Sequence, residues 1–401
     1  MKNKFTYSIL FIKLFIVFCL LVSFIKKANA QQTKHRISIF SPIYIDSAFK
    51  DNSYKILANY LPKNMLPGLE FYNGVMMAVD SLKSDSTGNL LIDIYDYKSK
   101  NNSLSDIFKK SSQTLKESKA IIASFNNRSD IKILADYAKQ NQIPLISATY
   151  PNDGGISNNP YFFLLNSTLR THCKALYKHL QRQYSISNII YLTRKGGFED
   201  MVNGFFAEYD STNNSNALNL KPTVLVDTFY SKELTSMLDS NKQNIIFCGT
   251  VNEPFALRVI NVLSQQKKYK TTVVGMPTWD GLKNLENKDY KGVEIVYTSP
   301  YNYSKNDKIV ASIISKYKTK YNAKPSDLVF KGYETMLRFG KTISLYGADA
   351  IQLFSDDLFK VINTLDIQPY YNKQNSNQID FYENQKIYFI KKVDGLVKSV
   401  S

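Results

Sequence analysis

The residues able to do chemistry are few. Three histidines occur in 401 residues: His35, His172 and His179. His172 and His179 stand seven apart on one predicted helix, so they share a face, the arrangement from which two imidazoles could hold a metal. No acidic or cysteine partner at ligand spacing completes the set, so they read as surface or packing residues and no metal site is expected. Lys195-Gly196-Gly197 has the glycines of a phosphate loop but lacks its spacing and the trailing Lys-Ser or Lys-Thr. No Gly-x-Ser-x-Gly nucleophile elbow occurs. A pair of carboxylates can act as acid and base without leaving a local pattern, so that chemistry alone stays open here. The expectation is a protein that is not an enzyme and needs no cofactor.

Composition narrows the partners. Lys2, Lys4 and Lys13 form a positive head, Leu14 to Ile25 an apolar run, and Ala28-Asn29-Ala30 a small-residue cleavage site, so residues 1–30 read as an export signal. The apolar run is shorter than the roughly 20 residues that span a bilayer. Export would place the chain in the periplasm. Removing that segment leaves 46 basic against 34 acidic residues, or +12, and only seven of the basic ones are arginines. Nucleic-acid surfaces favour arginine clusters interleaved with aromatics, and none stands out here. Pairs such as Lys109-Lys110 and Lys267-Lys268 are scattered, as on a solvated surface. Beyond the signal, Cys173 and Cys248 are the only cysteines; export permits a disulfide, and two buried thiols fit equally well.

The elements that must position any site follow from periodicity. About 370 residues exceed what one core usually serves, which argues for two domains. Strand patterns at Ile37 to Ile45, Leu90 to Tyr97, Ala120 to Phe125 and Pro144 to Thr149 alternate with helical spacings at Phe71, Val75, Val79, Leu82 and at Ile131, Leu134, Ala135, Ala138. After the turn-rich Pro151-Asn152-Asp153-Gly154-Gly155 the alternation restarts, with strands predicted at Tyr161 to Leu165, Asn188 to Thr193, Thr223 to Thr228, Asn244 to Gly249 and Thr271 to Met276. A strand at Val293 to Ser299 precedes two helices, the second from the N-cap Ser326 to Leu345 before Gly347. Gln378 to Tyr382 and Ile387 to Ile390 read as a β-hairpin around Glu383-Asn384. The fold class is α/β, two doubly wound parallel-sheet lobes: 31–150 with 298–365, and 151–297 with 366–401.

Specific residues along this order resemble the type 1 periplasmic solute-binding proteins, the leucine/isoleucine/valine receptor family. They are Glu70-Phe71-Tyr72-Asn73-Gly74, Tyr95-Asp96-Tyr97, Pro144 to Thr149 ahead of Asn159-Pro160-Tyr161-Phe162, Ser299-Pro300-Tyr301, and Lys331-Gly332-Tyr333-Glu334. In the first of these, the resemblance implies a glycine that lets the opening helix pack close to its sheet. It further implies three hinge crossings and a small polar ligand, an amino acid or related compound, trapped between the lobes of a monomer and delivered to a membrane importer. The alternative is an envelope interaction or sensing module on the same fold.

Doubly wound sheets bind ligands beyond the carboxyl ends of their strands, which independently names the loops. In the first lobe these carry Tyr44, Ser124, Phe125, Ser147, Ala148, Thr149 and Tyr150; in the second, Thr193, Phe198, Thr250, Glu253, Met276, Trp279 and Asp280. The resemblance assigns Ser124, Ser147 and Thr149 to a ligand carboxylate. Trp279 either stacks on the ligand at the cleft mouth or packs between the lobes. The family's acid after the last strand glycine is missing, replaced by Met276, Pro277 and Thr278, with Asp280 or Glu253 as substitutes. The segment Asp46 to Leu69 is expected to lengthen the loop beside the cleft.

Overall fold

A computed structural model describes residues 34–401, apart from 51–52, 56–60, 85–88, 101, 213–216, 283–284 and 286–289. The predicted export signal lies outside the described residues. Among those described, no helix is long and apolar enough to cross a membrane.

The first lobe begins β1 (His35–Ser41), α1 (Leu66–Ser84), β2 (Leu90–Asp96), α2 (Leu104–Lys110), α3 (Ser112–Lys116), β3 (Ser118–Ala123), α4 (Arg128–Gln140), β4 (Leu145–Ser147) and β5 (Phe162–Leu164). The second comprises α5 (Leu169–Gln183), β6 (Asn188–Thr193), α6 (Gly197–Thr212), β7 (Pro222–Val224), α7 (Ser231–Thr235), β8 (Asn244–Cys248), α8 (Glu253–Ser264), β9 (Thr271–Gly275) and β10 (Val293–Ser299). The chain then returns through α9 (Lys308–Tyr321) and α10 (Asp327–Tyr346), and ends in β11 (Ile367–Tyr371), β12 (Ile379–Asn384), β13 (Tyr388–Val393) and β14 (Leu396–Val400). The first sheet runs β11-β12-β5-β4-β3-β1-β2 and the second β14-β13-β10-β9-β8-β6-β7. Central strands such as β8 and β9 are buried along their whole length, as parallel strands covered on both faces must be.

Sheet membership corrects the expected boundaries. β5 belongs to the first sheet, so the first crossing follows Leu164 and not the Pro151–Gly155 turn. β11 and β12 also return to the first sheet, and only β13 and β14 complete the second. The expected hairpin around Glu383-Asn384 does not form, because β12 pairs with β11 and β13 with β14. The physical reason is Asn384. Its amide donates to the Leu165 carbonyl and its Oδ1 accepts from Asp366 N, which holds the chain to the crossing instead of turning it back. Three crossings therefore join the lobes, after β5, β10 and β12.

Local signals behave as their chemistry requires. Ser326 caps α10 through a bond from Leu328 N at 3.2 Å, and Gly347 ends that helix at positive φ. Cys173 and Cys248 are free thiols buried in the second core, and burial pushes both up to about 12.

The tightest joint lies between α1 and α10. A Cβ built on Gly74 would fall 2.0 Å from the Val329 carbonyl oxygen, and one on Gly332 would fall 2.2 Å from that of Phe71. The glycine expected to bring the opening helix onto its sheet thus brings it onto another helix. Both obstacles are backbone, which no rotamer change relieves. Gly74→Ala and Gly332→Ala are each expected to destabilise by about 1–3 kcal/mol or more in thermal melts. Gly204→Ala, at an exposed position of α6 with nothing near its Cβ, should instead leave stability unchanged or raise it by up to about 1 kcal/mol.

Candidate functional site

At the first lobe's tip, β2 ends in Asp96, whose carboxylate accepts the backbone N–H groups of Ile43, Tyr44 and Ile45 at 3.0, 3.1 and 2.9 Å. Ser99 Oγ and Lys98 N add two more donors. Successive N–H groups around left-handed Tyr44 form a nest suited to an anion, and the chain's own carboxylate fills it. The Tyr44 hydroxyl accepts from Asn126.

The structure does bring Ser124, Phe125 and Thr149 together, but they satisfy one another. Thr149 Oγ1 lies 3.0 Å from Ser124 Oγ and accepts from Phe125 N at 3.0 Å. The carbonyls of Thr149 and Tyr150 both take the Asn166 amide. Ser147 and Ala148 are fully buried. In the second lobe, Thr193 is buried and Thr250 donates to Glu199 at 2.5 Å, while Glu253 is exposed at the start of α8. Met276 and Trp279 are core residues of that lobe, with the indole against Gly275, so Trp279 faces neither ligand nor the other lobe. From the Asp46 to Leu69 segment, Phe49–Lys50 pairs with Ser53–Tyr54 in an exposed ribbon whose residues do not line the cleft.

The cleft itself is a cavity of about 1640 Å³ beside the crossings. Phe198 and Asp280 line it, and none of the other twelve expected residues does. The second lobe adds the start of α5, the β13–β14 end and Ser299 at the end of β10; the connector after β10 adds Pro300 to Asn306; the first lobe adds Asp327 and Lys331.

Its charges come from different elements. Lys331 Nζ lies 4.5 Å from the Tyr301 ring centre, and Tyr301 stacks on Tyr303, which stacks on Phe330. Loss of hydration holds the Lys331 pKa below the ordinary lysine value, against the pull of Asp327 and Asp280. Asp327 opens into the cleft, where partial loss of hydration and then the like charge of Asp280 raise its pKa. Asp280 accepts from Ser299 Oγ at 3.4 Å. His172 bonds Thr298 Oγ1 at 3.0 Å, and burial lowers its pKa to about 3, which keeps it neutral near pH 7.

Sequence reasoning missed Lys331, Asp327 and Lys392 as cleft residues. Signals existed. Glu334 and Arg338 place charges on the buried stripe of α10, and Lys392 shares the inward parity of Ile390 on its strand.

No protein-family model and no curated protein matches this sequence. Solved structures do match. A putative branched-chain amino acid ABC transporter protein from Rhodospirillum rubrum aligns over 91% of this chain and 99% of its own, with TM-score 0.65 and 12% identity. The chain has the type 1 periplasmic binding protein fold. Two further type 1 structures agree. A branched-chain amino acid ABC transporter periplasmic ligand-binding protein from Burkholderia xenovorans covers 92% of this chain and 95% of its own at TM-score 0.57 and 12% identity. An ABC transporter substrate-binding protein from Desulfitobacterium hafniense, solved in complex with Leu, covers 91% and 99% at 0.52 and 12%. At such identity the shared property is the fold.

Two outcomes follow. Asp96→Asn removes the charge from the nest and is expected to cost about 1.5–3 kcal/mol, with faster amide hydrogen exchange at residues 43–45. His172 has a folded pKa below its unfolded value, so the folded state binds fewer protons and stability declines as pH falls from about 6.5 towards 3, by at most about 1.4 kcal/mol per unit. Burial lowers His179 to about 4, which adds to the same slope. Melting temperatures between pH 7 and 5 should therefore fall less steeply in His172→Gln than in the parent chain.

Proposed function

We propose that this protein is an exported solute receptor. It captures a small polar solute, an amino acid or related compound, between its lobes outside the cytoplasm and delivers it to a membrane importer. The observation that carries this reading is the interlobe cleft, flanked by three crossings and lined by charged and aromatic side chains from both lobes. Two lobes on a hinge can close over a solute, exclude water and strengthen each polar contact they make. Asp280, on the second lobe, stands in for the family's missing acid, and Phe198 supplies apolar surface. The Ser124–Thr149 pair serves as a positioning element for the loops at the strand ends, since its hydroxyls are engaged with each other. Binding, with no bond made or broken, is the whole of the activity proposed. The type 1 structures cited above come from transport systems by their descriptions, which supports the hand-over step.

A panel of amino acids, sugars and small organic acids, scored by melting temperature and by small-angle scattering, tests the reading. A true ligand at 100 times its dissociation constant should stabilise by about 2.7 kcal/mol. It should also reduce the radius of gyration as the cleft closes. If nothing in the panel shifts either quantity, capture is wrong and the fold serves as an interaction or sensing module.

A further inference from the structure

Two ammonium groups face the cleft without an ion pair among the described residues. Lys392, on β13 of the second lobe, is only 8% exposed and lies 5.5 Å from the Tyr297 ring centre. Lys331, on α10 of the first lobe, lies over Tyr301. The neighbouring Lys391, by contrast, pairs with Glu294 at 3.0 Å. Lys331, Lys392 and both tyrosines line the same cavity, with Tyr297 on β10 and Tyr301 on the connector just after it. A tyrosine face offsets only part of what an ammonium loses when water leaves it. Lys331 has Asp327 and Asp280 in its field but no ion-pair contact with either among the described residues, and Lys392 is a mostly buried side chain with no ion pair among them; an ammonium so placed at a cleft wall can receive an anion.

The charge balance points the same way. Arg170, Lys305, Lys331, Lys392 and Lys398 line the cavity against Asp153, Asp280 and Asp327, an excess of two positive charges. Arg170 is held by Glu208 at 2.7 Å, which reduces the excess to one. We propose that the cleft selects a small net-negative solute with two carboxylates, one set against Lys331 from the first lobe and one against Lys392 from the second. Closure then brings each lobe's lysine to one end of the same anion, so the solute bridges the lobes. Asp280 and Asp327 remain for an ammonium or hydroxyl on that solute. The proposal rests on the capture reading and names its substrate class.

Calorimetric titration of the full exported chain with L-glutamate, L-aspartate and succinate, against L-glutamine and L-leucine, tests it. At least one dicarboxylate should bind about tenfold or more tighter than either neutral amino acid. Lys331→Met and Lys392→Met should each weaken that binding about tenfold or more, the loss expected of one charge-assisted contact. Lys331→Arg and Lys392→Arg should retain most of it. Without solute, Lys392→Met should melt no lower than the parent, because it removes an unpaired charge from a mostly buried side chain; a lowered melting temperature with unchanged affinity assigns the lysine to the scaffold and overturns the proposal. Binding of neutral amino acids in preference to dicarboxylates overturns the substrate class and leaves capture standing. Binding of no probe, with no closure in scattering, overturns both.

Discussion

The backbone contact between α1 and α10 is the constraint on which the rest depends. The carbonyls of Phe71 and Val329 occupy the space that side chains at Gly332 and Gly74 would need, so the two helices approach as closely as their backbones allow. That approach seats the returning chain on the first lobe after it has built the second. It also fixes α10 in rotation. Lys331, next to Gly332, is thereby placed at the cleft, while Met336, Phe339 and Ile343 face the first core. Lateral shift or rotation of α10 would meet backbone at both glycines, which is why a charged group can be held there over an aromatic ring.

The same helix anchors the hinge. Glu334 accepts from the backbone N–H groups of Ile362 and Asn363 and from the Asn363 amide, and Asn363 Oδ1 in turn accepts from Asn302 N on the second crossing. Arg338 joins Glu334, Asp357 and the Asn363 carbonyl. Buried charges of this kind are held by satisfied hydrogen bonds more than by Coulomb attraction, since desolvation offsets much of the latter. The first and third crossings are stitched separately. Ser167 Oγ donates to the Asn384 carbonyl, the Asn384 amide donates to that of Leu165, and Thr168 N donates to Glu383. Burial raises the pKa of Glu383, with the bonds from Thr168 and Thr171 opposing. The hinge is thus polar and directional, in contrast to the apolar packing within each lobe.

Much of the architecture was legible because it depends on local periodicity. Alternating β and α patterns located the central strands of both sheets, and Ser326 and Gly347 marked the ends of α10. Legibility failed where pairing is non-local. The tail strands matched the expected positions closely, yet their partners were wrong, because period-2 alternation states which face is buried and not which strand lies alongside. The site shows the same division. Ser124 and Thr149 do meet, as strand-end logic required, but whether their hydroxyls point at a ligand or at each other is decided by loop geometry that no spacing encodes. Trp279 reads from sequence as a cleft residue because it follows a strand end. Its ring turns back over Gly275, where the missing Cβ leaves room for it.

By itself, the sequence determined the fold class, the positions of the central strands, the helix caps and the absence of a recognisable catalytic motif. These follow from interactions within a few residues, or from a pattern that any doubly wound sheet must satisfy. Tertiary structure alone decided which strands close each sheet, that Asp96 fills the nest beside Tyr44, and that Lys331 and Lys392 reach one cleft from two lobes. The two lysines lie 61 residues apart in the chain, and their lining one cavity depends on glycine contacts and sheet pairings formed elsewhere. A lysine on a helix and a lysine on a strand carry no mark of a shared anion; only the packing that brings them into the same cavity makes them a site.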